Sequence, residues 1–350
     1  MKKYAPVLFL TVVVTLLFFF PAAGQAQSEP GSLTVMTHDS FSVSAGVIES
    51  FEEEHRVKLR FLRSGDAGEA LNKAILSKNN PLADVFFGVD NTFLSRALEA
   101  DIFLPCSPSN IDSVFPALRL DLENRLVPVD FGDVCINYDR QWFKEKSLAL
   151  PTGLEDLVKP EYRGLLVVEN PATSSPGLAF LLATVAKFGE EGFIGFWKQL
   201  KENDLLVTSG WKEAYWGEFS AASDGNRPLV VSYASSPAAE VFYAETKMAR
   251  APTGVIIDND SAFRQIEFAG VLKKTEKRAM AEKFIDFMLS KRFQQDIPLQ
   301  MFVFPANRHA ALPPVFKNHA RITPDPVFIS PDIISRKRDT WISQWTEAIL

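Results

Sequence analysis

The segment Leu33-Thr-Val-Met-Thr-His-Asp-Ser-Phe41 decides the fold, because a β-rich run there leads directly into a helix-forming stretch. Val43 to Glu54 has apolar residues at helical spacing, and Val57 to Leu62 alternates apolar and basic residues as a strand does. The pattern then repeats with a helix, a strand and a helix at residues 68–78, 83–89 and 91–100. Such alternation predicts an α/β fold with a parallel sheet covered on both faces.

A second α/β series follows a pause from Leu104 to Leu126 that is rich in Pro, Ser and Asp. It contains predicted strands at 126–130, 135–138, 164–168, 229–233, 254–257 and 268–272, and predicted helices at 176–188, 190–201 and 275–289. Two series joined by short β segments predict two lobes with a ligand cleft between them. We place lobe 1 at residues 27–127 plus about 258–305, and lobe 2 at 128–257. In the remaining segment, 306–350, a helix that starts at Pro331 carries an apolar stripe, and we expect it to pack on the body.

The N-terminus is typical of an export signal at residues 1–26. Lys2 and Lys3 precede an almost wholly apolar run from Val7 to Phe20, and small residues suited to cleavage follow it, after Gly24 or Ala26. An uncleaved membrane anchor is the alternative. The apolar run is shorter than the roughly 20 residues of a spanning helix, which favours cleavage. We therefore expect a secreted, periplasmic protein.

Composition excludes several classes of protein. With 47% hydrophobic residues among 350, the chain can bury a core, and a net charge of −6 makes nucleic acid a poor partner. An acidic surface tolerates a cationic small ligand better.

The two cysteines, Cys106 and Cys135, could form one disulfide or remain buried thiols, and both options stay open. Phosphate-loop, dinucleotide, nucleophile-elbow and zinc-protease motifs are absent, which lowers the expectation of catalysis.

Polar residues follow several predicted strands, where ligands of open α/β sheets bind. His38 follows the first strand, and Asp66 follows the second, where helix capping and ligand contact are equally good interpretations. In the second series, Ser174 and Ser175 precede Pro176 at a helix start, where free amides and hydroxyls could take an anionic group.

Aromatic residues lie close to two further strand ends. Trp211 and Tyr215 would share a helical face after Gly210, and such aromatics are more often core than ligand contacts. Tyr233 ends a strand, with Ser235 and Ser236 close behind it. A flat cation held between such rings near Asp66 would gain about 0.5–2 kcal/mol for each good cation–π contact.

The chain resembles the thiamine-binding periplasmic proteins of bacterial ABC importers. The resemblance covers most of the chain after residue 26, in the right order, and the three segments TSSPG, SGW-x-EAY and SY-x-x-SP are specific in combination. The matching segments are LTVMTHDSF (33–41), ADVFFGVDN (83–91), VPVDFG (127–132), NPATSSPGL (170–178), VTSGWKEAY (207–215), LVVSYASSP (229–237) and WISQW (341–345).

This resemblance implies a type 2 periplasmic binding protein fold, in which two α/β lobes close on a ligand. It implies that Asp66 faces the aminopyrimidine or offsets the thiazolium charge, and that Trp211 and Tyr233 stack on the rings. Hydroxyethyl or phosphate groups would meet Ser174 and Ser175. The full predicted ligand set is Asp66, Ser174, Ser175, Trp211, Tyr233, Ala234, Ser235, Ser236, His38 and Tyr215. The family commonly has Tyr where His38 stands.

The sequence thus predicts a monomeric, non-enzymatic receptor that delivers thiamine or a thiamine phosphate to a membrane permease. No cofactor or metal is expected. One alternative is a receptor for ferric iron or a polyamine, although a ferric site would favour adjacent tyrosines and the chain has no Tyr-Tyr pair. Another is an exported enzyme acting on a thiamine-like pyrimidine, with Cys106 or Cys135 as nucleophile. A structural or adhesive export protein is disfavoured because polar and aromatic residues follow the predicted strand ends, where a ligand cleft is expected.

Overall fold

A computed structural model describes residues 31–258 and 260–350, so the predicted signal segment lies outside the described residues. The strands are β1 Gly31–Thr37, β2 Val57–Arg63, β3 Val85–Asp90, β4 Phe103–Leu104, β5 Val127–Asp139, β6 Leu166–Glu169, β7 Leu206–Thr208, β8 Leu229–Tyr233, β9 Thr253–Ile256, β10 Phe263–Leu272 and β11 Phe304–Pro305. The helices are α1 Ala45–His55, α2 Ala67–Leu76, α3 Leu94–Glu99, α4 Arg140–Lys146, α5 Ser175–Glu202, α6 Trp211–Glu213, α7 Ser236–Tyr243, α8 Arg278–Leu289, α9 Lys291–Gln300, α10 Pro314–His319 and α11 Pro331–Ile349.

The sheet is mixed, with the strand order β2-β1-β3-β10-β5-β8-β6-β7. The pairs β1–β2, β1–β3, β6–β7 and β6–β8 are parallel, as predicted. The centre is not, because β10 runs antiparallel to β3 and β5, and β5 runs antiparallel to β8. The parallel sheet expected from the sequence is therefore confirmed for the outer strands and wrong for the two long central strands, β5 and β10, whose pairs are antiparallel.

Strand β5 is continuous over 13 residues, whereas the sequence predicted two short strands there. Pro128 interrupts the sequence pattern, since proline cannot donate to a sheet ladder. In the structure Pro128 lies opposite Phe268, next to a shift in the pairing of β10 with β5. The irregular pairing at that point accommodates the proline without ending the strand.

Most of the buried apolar side chains of the described residues belong to one of two large clusters. The first contains Val127, Val129 and Phe131 from β5 together with the cores of β1, β3, α8 and α9. The second contains Val134 and Ile136 from the same strand, together with α5 and α11. Strand β5 thus passes from one cluster to the other between residues 131 and 134, and β10 does so between Phe263 and Ile266. The lobe boundaries proposed from sequence remain a prediction.

Local sequence explains how the longest helical segment is built. The Ser174 hydroxyl accepts a hydrogen bond from the Gly177 amide at the start of α5, as an N-cap does. Gly189 has a φ of 73° inside this segment, a left-handed conformation that glycine adopts without a steric penalty. The segment is therefore two helices divided at Gly189, as the sequence predicts.

The last helix, α11, packs on the body through its apolar stripe, which includes buried Ile334, Trp341 and Trp345. The Trp345 ring lies 5.5 Å from that of Trp197 in an edge-to-face arrangement within the second cluster. None of the helices in the described ranges is long and apolar enough to cross a membrane.

The cysteines are two separate buried thiols. Cys106 belongs to the first hydrophobic cluster, and Cys135 packs with Ala234 and Ala262 in a small cluster elsewhere. Of the two options left open by the sequence, the structure has the free thiols. Burial raises the pKa of Cys106 to about 12 and also raises that of Cys135. Neither thiol is activated as a nucleophile.

Replacing Trp345 by alanine should lower the free energy of unfolding by about 3–5 kcal/mol, because it empties a large buried site between α11 and α5. Urea unfolding of the chain without residues 1–26 measures this loss. Ser343→Ala on the exposed side of α11 serves as the control. A loss below about 1 kcal/mol for Trp345→Ala would show that α11 is not part of the cooperative core.

Candidate ligand-binding site

An ion pair links the end of β1 to the centre of the sheet. His38 Nε2 lies 2.9 Å from the Glu267 Oε1 atom of β10, and both side chains are largely buried. Burial lowers the pKa of His38, but the negative charges of Glu267, Asp66 and Asp90 outweigh it and raise the pKa overall. Burial acts in the opposite direction on Glu267, where the charge of His38 prevails and lowers the pKa of the carboxyl. Each member of the pair thus favours the charged form of the other.

Glu267 belongs to a row of three carboxyl groups that crosses adjacent strands. In the sheet register it lies opposite Asp90 of β3 on one side and Asp130 of β5 on the other. Burial raises the pKa of Asp90 to about 6, although hydrogen bonds from Thr92 oppose the shift. Burial and the charge of Glu267 raise the pKa of Asp130 well above its usual value. The row lies on the side of the first cluster, next to the points where β5 and β10 pass to the second.

Asp66 is exposed and caps α2, with its Oδ1 atom accepting a hydrogen bond of 2.8 Å from the Ala67 amide. The capping role expected from sequence is confirmed. Its charge also acts on His38 and Tyr233, whose pKa values it raises. Asp66 therefore lies close enough to both groups to influence a ligand there, and its ligand contact stays a prediction.

Trp211 and Tyr215 stack on one helical face, as their spacing predicts, with ring centres 5.1 Å apart. The Trp211 indole nitrogen donates to the Ser232 hydroxyl at 2.8 Å, and that hydroxyl lies 3.0 Å from the Ser236 hydroxyl. Tyr215 is buried behind Trp211, and its hydroxyl donates to Glu240 at 2.5 Å. Trp211 is thus a half-buried ring held in one orientation.

Tyr233 lies close to four acidic groups that belong to different strands and to the start of α2. Its hydroxyl donates to Gln265 of β10 at 3.2 Å. Burial raises its pKa well above 10, and the charges of Glu267, Asp66, Asp90 and Glu169 raise it further. The phenol is neutral, and its surroundings are strongly acidic.

Residues 234 and 235 are engaged in internal contacts. The Ala234 amide donates to Asp133, and the Ala234 carbonyl accepts from the Arg321 amide. The Ser235 hydroxyl donates to the Phe302 carbonyl at 2.5 Å. Both residues therefore shape the segment after β8, and the structure gives no free polar group at Ala234 for a ligand.

Ser174 and Ser175 stand at the start of α5, with Ser174 buried and Ser175 half-buried. Just before them, at the end of β6, the Glu169 side chain is fully buried, and neither of its oxygens has a hydrogen-bond partner among the described residues. Burial raises the pKa of Glu169 to about 8.

The sequence predictions omitted three acidic residues of this region: Glu169, Glu267 and Asp130. A signal for Glu169 was present, since an acid ends the apolar run Leu165-Leu-Val-Val168. No local signal marked the other two, because their proximity depends on pairing between strands more than 130 residues apart in the chain.

The chain belongs to the family of bacterial extracellular solute-binding proteins, whose model matches residues 80–335. It is 30% identical to the thiamine-binding periplasmic protein of Salmonella typhimurium, over 100% of this chain and 99% of that one. The protein of the same name from Brucella suis is also 30% identical, over 97% and 98% of the two chains.

Solved structures agree with the fold. A periplasmic thiamin binding protein covers 91% of this chain and 96% of its own, with 28% identity and a TM-score of 0.79. A ferric binding protein from Campylobacter jejuni shares the fold with a TM-score of 0.74 at 20% identity, over 90% and 99% of the chains. The two-lobed fold of type 2 periplasmic binding proteins, expected from the sequence resemblance, is confirmed.

Glu169 should make stability depend on pH. Its pKa is about 8 in the folded chain against an ordinary value of 4.5, so the stabilisation from keeping it protonated is complete below about pH 4.5 and is lost as the pH rises through about 8. Between about pH 5 and 8, the free energy of unfolding in urea should fall less steeply for Glu169→Gln than for the wild type. Equal slopes would contradict the burial effect.

Proposed function

We propose that this protein is a periplasmic receptor that binds thiamine between its two lobes and delivers it to the permease of an ABC importer. The observation that carries the proposal is the position of Tyr233, a neutral ring surrounded by acidic groups from both lobes. Trp211 adds a second ring, fixed by Ser232 and Tyr215. Aromatic faces near carboxylates suit a flat cation such as the thiazolium ring. The relatives named for thiamine binding support the same ligand.

Ligand binding would couple to closure of the lobes. Strands β5 and β10 connect the two hydrophobic clusters and are the natural hinge elements. A ligand that contacts residues of both lobes stabilises the closed state, and a permease can recognise that state. In this proposal the protein acts as a monomer without cofactor or metal.

The other candidate functions have less support. A ferric site of the expected kind would favour adjacent tyrosines, and the sequence has no Tyr-Tyr pair. An exported enzyme would need an activated nucleophile, and burial raises the pKa of both cysteine thiols.

Isothermal titration of the chain without residues 1–26 tests the proposal. Thiamine, its phosphate esters, a linear polyamine and ferric citrate are titrated separately, and size-exclusion chromatography gives the oligomeric state. Saturable binding of thiamine at one site per chain, with no turnover of the bound vitamin, is expected. Binding of ferric citrate or the polyamine without binding of thiamine would overturn the proposal, and product formation would favour the enzyme.

Trp211→Ala should weaken thiamine binding by more than about tenfold, or about 1.4 kcal/mol, because it removes a stacking face held by Ser232. Trp142→Ala, the same change at a half-buried position on α4, is the control and should leave the dissociation constant unchanged. An unaltered dissociation constant in a folded Trp211→Ala variant would refute the stacking role.

Asp66→Asn should weaken binding of cationic thiamine more than binding of an uncharged analogue in which a thiophene replaces the thiazolium. Asparagine still caps a helix, so the substitution removes the charge and keeps the cap. Titration of both ligands into both chains measures the difference. Equal losses for the two ligands would indicate that Asp66 serves only α2.

A further inference from the structure

Glu169 differs from Asp139 and Glu240, two other acids of the second lobe that are at least partly buried, and it resembles Asp130, whose two carboxyl oxygens also have no hydrogen-bond partner among the described residues. Asp139 accepts hydrogen bonds from the Gln141 and Trp142 amides, and Glu240 accepts from Tyr215 and Thr253. Glu169 is 0% exposed and its carboxyl has no hydrogen-bond partner within residues 31–258 and 260–350. A buried polar group without a partner is costly, and native structures keep such groups where a role offsets the cost.

The strand geometry places the Glu169 side chain on the aromatic side of the sheet. Side chains alternate along β6, so Glu169 lies on the same face as Val167, which packs with Tyr215. The register pairs Val167 with Val230, so the residues two positions further along the two parallel strands, Glu169 and Ser232, lie on that same face of the sheet. Ser232 is the residue that holds the Trp211 indole. Glu169 therefore lies at the base of the proposed ring-binding surface.

We propose that Glu169 is a ligand-binding residue that supplies the second-lobe counter-charge for a cationic ring and gives up its proton when the ring arrives. This inference rests on the proposed function. The carboxyl O–H bond breaks, the proton passes to the buffer, and the carboxylate that remains attracts the ring. Direct contact is not needed, since charges interact over several ångströms where water is excluded.

The ionisation state of Glu169 fits this role. Burial raises its pKa to about 8, so at neutral pH most molecules carry the proton, and a nearby positive charge favours its release. The titratable groups around the site are Tyr233 on β8, Tyr215 beside Glu240, and Asp66, Asp90 and the His38–Glu267 pair from the first lobe. His38, Asp90 and Asp130, whose pKa values are also raised, are the other groups that could release a proton when a cation arrives.

Calorimetry in buffers of different ionisation enthalpy tests the inference at about pH 7. The wild type should release roughly one proton for each thiamine bound, as expected for a group with a pKa near 8. It should release none with the uncharged thiophene analogue. Glu169→Gln should abolish the release and weaken thiamine binding by about tenfold or more, with little change for the analogue.

Two controls keep the outcomes distinct. Glu191→Gln, the same change at an exposed position of α5, should behave as the wild type, and thermal unfolding shows whether Glu169→Gln is folded. Proton release that persists in Glu169→Gln would assign the proton to His38 or another group and overturn the inference. A wild type that binds thiamine without releasing a proton would also overturn it. A wild type that does not bind thiamine would instead refute the proposed function.

Discussion

The antiparallel pairing of β5 with β10 is the constraint on which the rest of the structure depends. Both strands contribute side chains to both hydrophobic clusters, so the two clusters share the same pair of strands. The same pairing aligns Asp130 with Glu267, and the pairing of β10 with β3 adds Asp90. A row of acids in the middle of a sheet is tolerated because burial and the charge of Glu267 favour the neutral form of Asp130, and because His38 pairs with Glu267. The strand pairing that joins the two clusters therefore also brings the three carboxyl groups together.

The site combines rigid apolar surfaces with groups whose charge depends on their surroundings. Trp211 is fixed by stacking on Tyr215 and by a hydrogen bond to Ser232, so little freedom remains to be lost on binding. The neighbouring acids differ in their exposure to water, since Asp66 is exposed and Glu169 is fully buried. This combination is the one proposed above to hold a flat, positively charged solute, and it agrees with membership of a solute-binding family.

Local patterns in the sequence were sufficient for much of this description. Helical spacing predicted the stacking of Trp211 on Tyr215, and the helix break at Gly189 and the start of α11 at Pro331 were also local signals. The antiparallel centre was not predictable in this way, because Pro128 divides the pattern of β5 and strand direction is set by tertiary pairing. The acids missed by the sequence follow from the same cause, as Glu267 acquires its neighbours only through the sheet.

The position of α11 has a consequence for how the molecule is made. The second hydrophobic cluster takes Trp341, Trp345 and Ile349 from the last ten residues of the 350-residue chain. The second cluster therefore cannot be completed until α11 has been synthesised, so a growing chain that still lacks this helix leaves Trp197 of α5 without the ring that covers it.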